Sequence, residues 1–186
     1  GIKDIIDTHD QPSENGTEAN RGRMPAVDAT VVARLRRAGA IILGKTVTTE
    51  CACGASRNTR NPHDLLRTPG GSSSGSAAAV AANMVPLALG TQTAGSVIRP
   101  AAFCGVWGVI PSHGTIPCTG VLKLSETLDH IGTFANSPDD LALAIDAISG
   151  DDGIDPYTQG QAVTRLRTAL NGPLVRPRFA FLRGPT

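Results

Sequence analysis

The chemistry-bearing residues of this chain gather in two loops of small polar residues whose leading serines, Ser72 and Ser96, stand 24 positions apart. The first, Gly70-Gly71-Ser72-Ser73-Ser74-Gly75-Ser76, runs directly into Ala77–Ala82; the second spans Thr91 to Arg99. Residues this small let a carbonyl substrate approach the main chain, where N–H groups can take up charge developing on its oxygen. A Gly/Ser loop opening a helix also fits an anion site or a simple turn. A phosphate cradle fits less well, because no Gly-Lys-Ser/Thr follows to supply a cation. Gly71-Ser72-Ser73-Ser74-Gly75 matches the Gly-x-Ser-x-Gly nucleophile elbow, with Ser73 central. The elbow needs a hydrophobic strand before it, and Asp64–Pro69 ends in a proline hostile to a strand interior. It also needs an acid and a histidine; Asp129 and His130 are adjacent in sequence, so Ser73 would have to lie near His130 or His113.

These loops must be held by the elements around them. A helix is expected from Ala26, Val27, Val31, Val32 and Leu35 on one face, ending at Gly39. Ala40–Leu43 reads as a short buried parallel strand. The Ala-rich stretch after Ser76 reads as a helix, Pro86–Gly90 as a strand, Pro100–Phe103 as a short helix and Val106–Ile110 as a strand. Ser137-Pro138-Asp139-Asp140 is a helix start with its cap, and Leu141, Ile145 and Ile148 give its buried stripe before Gly150. A loop is expected over 151–160, a helix over 163–170 and a strand over 178–182. Helices alternating with short apolar strands point to an α/β fold.

Composition narrows the function. With 17 Lys+Arg against 16 Asp+Glu, the charge of +1 lacks the footprint of a nucleic-acid binder. One Trp, one Tyr and four Phe leave little for base stacking. No apolar run has the length of a membrane helix. Cys51, Cys53, Cys104 and Cys118 form no CxxC pair and no zinc spacing, so buried reduced thiols are expected, in keeping with a cytoplasmic protein. His9, His63, His113 and His130 share no metal spacing and default to loop or core roles. The chain opens Gly-Ile-Lys-Asp, without a basic and apolar leader or an initiating Met, and reads as cut from something longer.

Taken together, GGSSSGSAAAVAA (Gly70–Ala82) and LGTQTAGSVIRPAAFCGVWG (Leu89–Gly108) resemble the amidase signature family of serine hydrolases. Gly1–Asp4, the stretch Val31–Glu50, Arg60-Asn61-Pro62 and Leu128–Gly132 add matches in the right order. The resemblance implies an α/β fold with a mixed sheet flanked by helices, truncated at both ends, with residues 1–186 forming a single partial catalytic core. It implies hydrolysis of a carboxamide C–N bond, on a small-molecule amide, with no metal or cofactor. A glutamine-dependent amidotransferase A-type subunit uses the same triad and is the second enzyme reading; an inactive fragment or binding scaffold is the third.

The family's Ser–cis-Ser–Lys triad falls on Lys3, Ser72 and Ser96, with a cis peptide implied at Gly71–Ser72. The oxyanion donors fall on the backbone N–H groups of Thr93, Ala94, Gly95 and Ser96. Gly71, Ser73 and Arg99 are expected to support the loops, and Lys45 falls outside the triad. Asp129 is assigned no chemistry. A serine hydroxyl is a weak nucleophile until a base takes its proton. Lys3 can be that base only if neutral, which requires its pKa to fall from about 10.4 to near 7 or 8, a preference of about 4 kcal/mol against the charged form. Ser72, both donor and acceptor, would relay the proton. Ser74 and Ala94 replace frequent glycines, and Ile110 and Ser112 stand where many relatives carry Lys and Thr; none of these removes a triad member.

Overall fold

A computed structural model describes residues 1–54, 58–173, 176–178 and 180. Five strands make one mixed sheet: β1 (Ile2–Lys3), β2 (Lys45–Thr46), β3 (Leu87–Gln92), β4 (Trp107–Val109) and β5 (His130–Ala135), in the order β2-β1-β3-β5-β4. β1 runs parallel to both neighbours, with Ile2 level with Lys45 and Leu89. β5 runs antiparallel to β3, from Leu87 opposite Ala135 to Gln92 opposite His130, and antiparallel to β4. The helices are α1 (Thr30–Arg37), α2 (Ser74–Ala81), α3 (Ile98–Cys104), α4 (Pro138–Ile148) and α5 (Leu166–Leu170).

Alternation along the strands sends successive side chains to opposite faces. Ile2, Leu89 and Ile131 pack with Val31 and Val32 of α1 and Ile145 and Ile148 of α4. Ala88 and Phe134 pack with Ala77 and Val80 of α2 and with Val97, Ala101 and Cys104 around α3. The sheet is therefore covered by α1 and α4 on one face and by α2 and α3 on the other. β1 ends at Lys3, level with Gly90, and the parallel β3 runs two residues further to Gln92; the crevice beyond the carboxyl ends of parallel strands is where α/β folds place their sites.

Several expectations hold and several shift. α4 begins as read, with Ser137 Oγ accepting the Asp140 N–H at 3.1 Å and Pro138 in the first turn. α1 starts at Thr30 rather than Ala26, because the N–H groups of Ala29 and Thr30 are taken by the carbonyls of Asp7 and Thr119; Val27 is exposed. No strand forms over Ala40–Leu43. Pairing with β1 begins only at Gly44, whose carbonyl accepts the Ile2 N–H, and Ile41 and Leu43 are 89% and 68% exposed beside this edge strand. β5 forms where no strand is expected, because its His-Ile-Gly-Thr-Phe-Ala sequence, largely buried, shows no polar alternation. α5 starts at Leu166 rather than Val163, where Asp146 of α4 accepts the N–H groups of Leu166 and Arg167. Phe179, Phe181 and Leu182 of the expected last strand lie outside the described residues; Arg178 and Ala180 are in no strand. All four cysteines are free; Cys104 and Cys118 are buried, Cys53 is exposed and Cys51 half-buried.

One side chain ties the two helices of the first face. Arg34 of α1 donates to the carbonyls of Ile148, Ser149, Gly150 and Asp151, all at 2.8–2.9 Å, and so satisfies the C-terminal end of α4. Only the planar guanidinium fork spans four acceptors; an ammonium cannot. Arg34→Lys is therefore expected to cost about 2 kcal/mol, seen as a lower urea midpoint with an unchanged slope. An unchanged midpoint would show that the clamp contributes nothing.

Candidate active site

The Lys3 side chain is fully buried, with no exposed surface. Its Nζ lies 2.7 Å from Ser72 Oγ, 2.7 Å from Thr91 Oγ1 and 3.4 Å from the Thr91 carbonyl. Burial lowers its pKa from 10.5 to about 7, partly opposed by the negative charge of Asp129. An amine so placed is substantially neutral at physiological pH and can accept a proton.

Ser72 is held through its main chain. The Gly71–Ser72 peptide bond is cis. Arg99 Nε and Nη2 both donate to the Gly71 carbonyl, at 3.0 and 2.8 Å, and Thr49 N–H donates to the Ser72 carbonyl at 3.2 Å. Arg99 thus ties the start of α3 to the Gly71 carbonyl. Ser73, fully buried, both accepts the Thr91 N–H and donates to the Thr91 carbonyl. Ser74 Oγ donates to the Val47 carbonyl. Ser73 is thereby committed to β3, and its hydroxyl bonds neither His113 nor His130, as a nucleophile elbow would need.

Ser96 enters from the other loop. Its carbonyl accepts the Ser73 N–H at 3.3 Å, which sets it beside the Ser72–Ser73 segment. Its side chain is half-buried, and its Oγ makes no hydrogen bond among the described residues. Lys3 and Ser72 are therefore joined, whereas the bond from Ser96 Oγ to Ser72 Oγ that would complete the relay is not made in this state. The N–H groups of Ala94, Gly95 and Ser96 likewise meet no acceptor among the described residues.

Two residues that the sequence reading left without a role shape this loop. Gln92 Oε1 accepts the N–H groups of Val97 and Ile98, at 2.8 and 3.0 Å, and closes the loop onto the start of α3. Asp129 accepts from Thr93 Oγ1 with one oxygen and from the Leu124 and Ser125 N–H groups with the other. Thr93 is thus pinned through its side chain. Asp129 was visible in sequence as an acid beside a histidine, but nothing there indicated that it faces Thr93.

Other candidates lie elsewhere. Lys45 donates to the Ile6 carbonyl and to Ser13 Oγ, and lines a cavity of about 430 Å³ with Asp4, Glu14 and Arg21, not with Ser96. His113 packs edge-on against His130 and Tyr157, and His63 meets the Cys104 carbonyl. Among the described residues the one cluster with metal-ligand chemistry is His9, Asp10 and Asp28, and Arg36 already occupies both carboxylates.

Comparison with known proteins defines the class. The sequence profile of the amidase family matches residues 1–185, and the chain belongs to that family. It is 44% identical over 188 residues to the A-type subunit of the glutamyl-tRNA(Gln) amidotransferase of Thermus thermophilus, covering 98% of this chain and 40% of that relative. The native peptide amidase of Stenotrophomonas maltophilia superposes with a TM-score of 0.85 at 39% identity, over 91% of this chain and 37% of the other. A 6-aminohexanoate cyclic dimer hydrolase gives 0.86 at 33% identity, over 92% and 38%. The chain thus spans about two fifths of the length of these relatives.

Proposed function

We propose that the protein hydrolyses a carboxamide to a carboxylate plus ammonia or an amine, through an acyl-enzyme on Ser96, with residues 1–186 supplying the catalytic core. The observation that carries this reading is the buried Lys3 amine, 2.7 Å from Ser72 Oγ and with a pKa brought to about 7. As substrate fills the site, the Ser96 hydroxyl turns to Ser72; such bonds commonly tighten only in the substrate complex. Ser96 Oγ attacks the amide carbon while its proton passes to Ser72 and that of Ser72 to Lys3. The amides from Thr93 to Ser96 receive the oxyanion. Collapse breaks the C–N bond, and the proton returns from Lys3 through Ser72 to the leaving nitrogen. Water then attacks the acyl ester by the same relay, releasing the carboxylate and restoring Ser96. Lys3, Ser72 and Ser96 are the catalytic residues; Gly71, Ser73 and Arg99 hold them.

A fluorophosphonate probe tests the nucleophile without knowledge of the substrate. Labelling of the wild-type protein and its loss in Ser96→Ala are expected, with amide turnover falling by about 10⁴-fold or more. Labelling that survives in Ser96→Ala would remove the assignment. The 44% identity to an amidotransferase favours a second reading, in which glutamine is the amide and the released ammonia passes to a partner's site. Glutaminase activity that rises only with partner proteins and an acceptor substrate distinguishes it from a free-standing amidase.

A further inference from the structure

We propose that Thr91 is a positioning residue for Lys3, its hydroxyl fixing the direction in which the amine presents its lone pair to Ser72. This rests on the reading of Lys3 as the base. A neutral amine has two N–H donors and one lone pair. Among the described residues Lys3 Nζ has three polar neighbours: Ser72 Oγ, Thr91 Oγ1 and the Thr91 carbonyl. The carbonyl can only accept, so it takes one N–H. With the second N–H on Thr91 Oγ1, the lone pair is left facing the Ser72 hydroxyl, the orientation that proton transfer needs. Without that acceptor, rotation about the terminal C–N bond can turn an N–H toward Ser72 and the lone pair away.

Thr91 is itself held in place. It is buried, pairs with Ile131 across β3 and β5, and has its N–H and carbonyl bound by Ser73 Oγ at 3.3 and 3.2 Å. Lys3, Ser72, Ser73 and Thr91 therefore close a ring through three elements: β1, the loop before α2, and β3. The charges around it are few. Asp129, in the segment before β5, acts on Lys3 across space. On β2, Lys45 sends its ammonium to the Ile6 carbonyl and Ser13 Oγ. Asp4, next to Lys3, accepts from the Glu14 and Gly16 N–H groups. From the α2 loop and β3, the groups that meet Nζ are uncharged.

The isosteric change Thr91→Val removes the acceptor and keeps the volume. The ammonium loses more than the amine does, because hydrogen bonds to charged groups are the stronger ones. The Lys3 titration should move to lower pH by about half to one pH unit, while fluorophosphonate labelling of Ser96 slows by about 10- to 100-fold. Carbon-13 NMR of protein labelled at the lysine ε-carbon reads the titration, with Lys3→Met assigning the signal; Thr91→Ser should restore both readouts. Thr91→Ala serves, with the same expected directions, should Val disturb the fold. An unmoved titration overturns the proposal, whether or not labelling slows, because a merely structural role lowers the rate alone. Wild-type protein unlabelled at Ser96 would count against the amidase reading, and the titration would still decide the role of Thr91.

Discussion

Lys3→Met is expected to abolish turnover and, at the same time, to raise stability below pH 7. Loss of the general base should lower the rate by about 10³- to 10⁴-fold. The stability effect follows from linkage between protonation and folding. The native amine titrates near 7 and the ordinary value is 10.5. Below pH 7 both native and unfolded chains carry the proton, so the fold bears the whole penalty of a buried ammonium, about 4–5 kcal/mol. Between pH 7 and 10.5 only the unfolded chain stays protonated, so wild-type stability rises with pH; above that window the penalty is gone. Methionine never carries the charge but leaves Ser72 and Thr91 without an N–H partner, which costs about 1–3 kcal/mol. The variant should therefore be the more stable protein at pH 6, and its advantage should shrink or reverse by pH 10. Urea unfolding of both proteins across this range measures the difference; a gap that stays constant with pH would mean that Lys3 is not a depressed base.

Gly75→Ala has the second large effect, and its sign is opposite to what helix propensity dictates. In an isolated helix the change stabilises by about 1 kcal/mol. Here Gly75 lies in the first turn of α2 and donates its N–H to the Val47 carbonyl at 2.9 Å, so helix and chain meet backbone to backbone. An added Cβ would lie 2.4 Å from Val47 N and 2.9 Å from Val47 O. Main-chain atoms cannot rotate away as a side chain can, so α2 must lift off the chain that continues β2. Overpacking of this kind costs about 1–3 kcal/mol or more, and the shift passes directly to Ser72 and Ser73. Net destabilisation of about 2 kcal/mol or more with loss of probe labelling at Ser96 is expected in Gly75→Ala. A gain in stability would show that the two backbones are not in such close contact.

These two positions show what could be read from the chain alone. The motifs around Lys3, Ser72 and Ser96 were legible because they are contiguous strings of residue types, each with its local backbone requirement. Local signals also gave α4, through Ser137 and Pro138, and the entry into α2. Edges were less legible. Ala40–Leu43 has the apolar character of a strand, yet strand formation depends on a partner, and pairing starts only at Gly44. β5 was hidden because burial on both faces removes the alternation by which a strand is recognised.

The supporting residues were the least accessible. Asp129 lies 36 positions from Thr93, and Arg99 lies 28 from Gly71, and neither pair shares a periodicity. By itself the sequence determined the family, the order of helices and strands around the two loops, and the candidate nucleophile, relay and base. Tertiary structure decided that Lys3 is buried, with its pKa lowered to about 7, that Thr91 and Ser72 flank its nitrogen, and that the Ser96 hydroxyl makes no hydrogen bond among the described residues. The physical reason is that residue type and local backbone preference act over a few positions. Desolvation, by contrast, and hydrogen bonds between β1, β3 and the loop before α2 exist only once distant segments have packed.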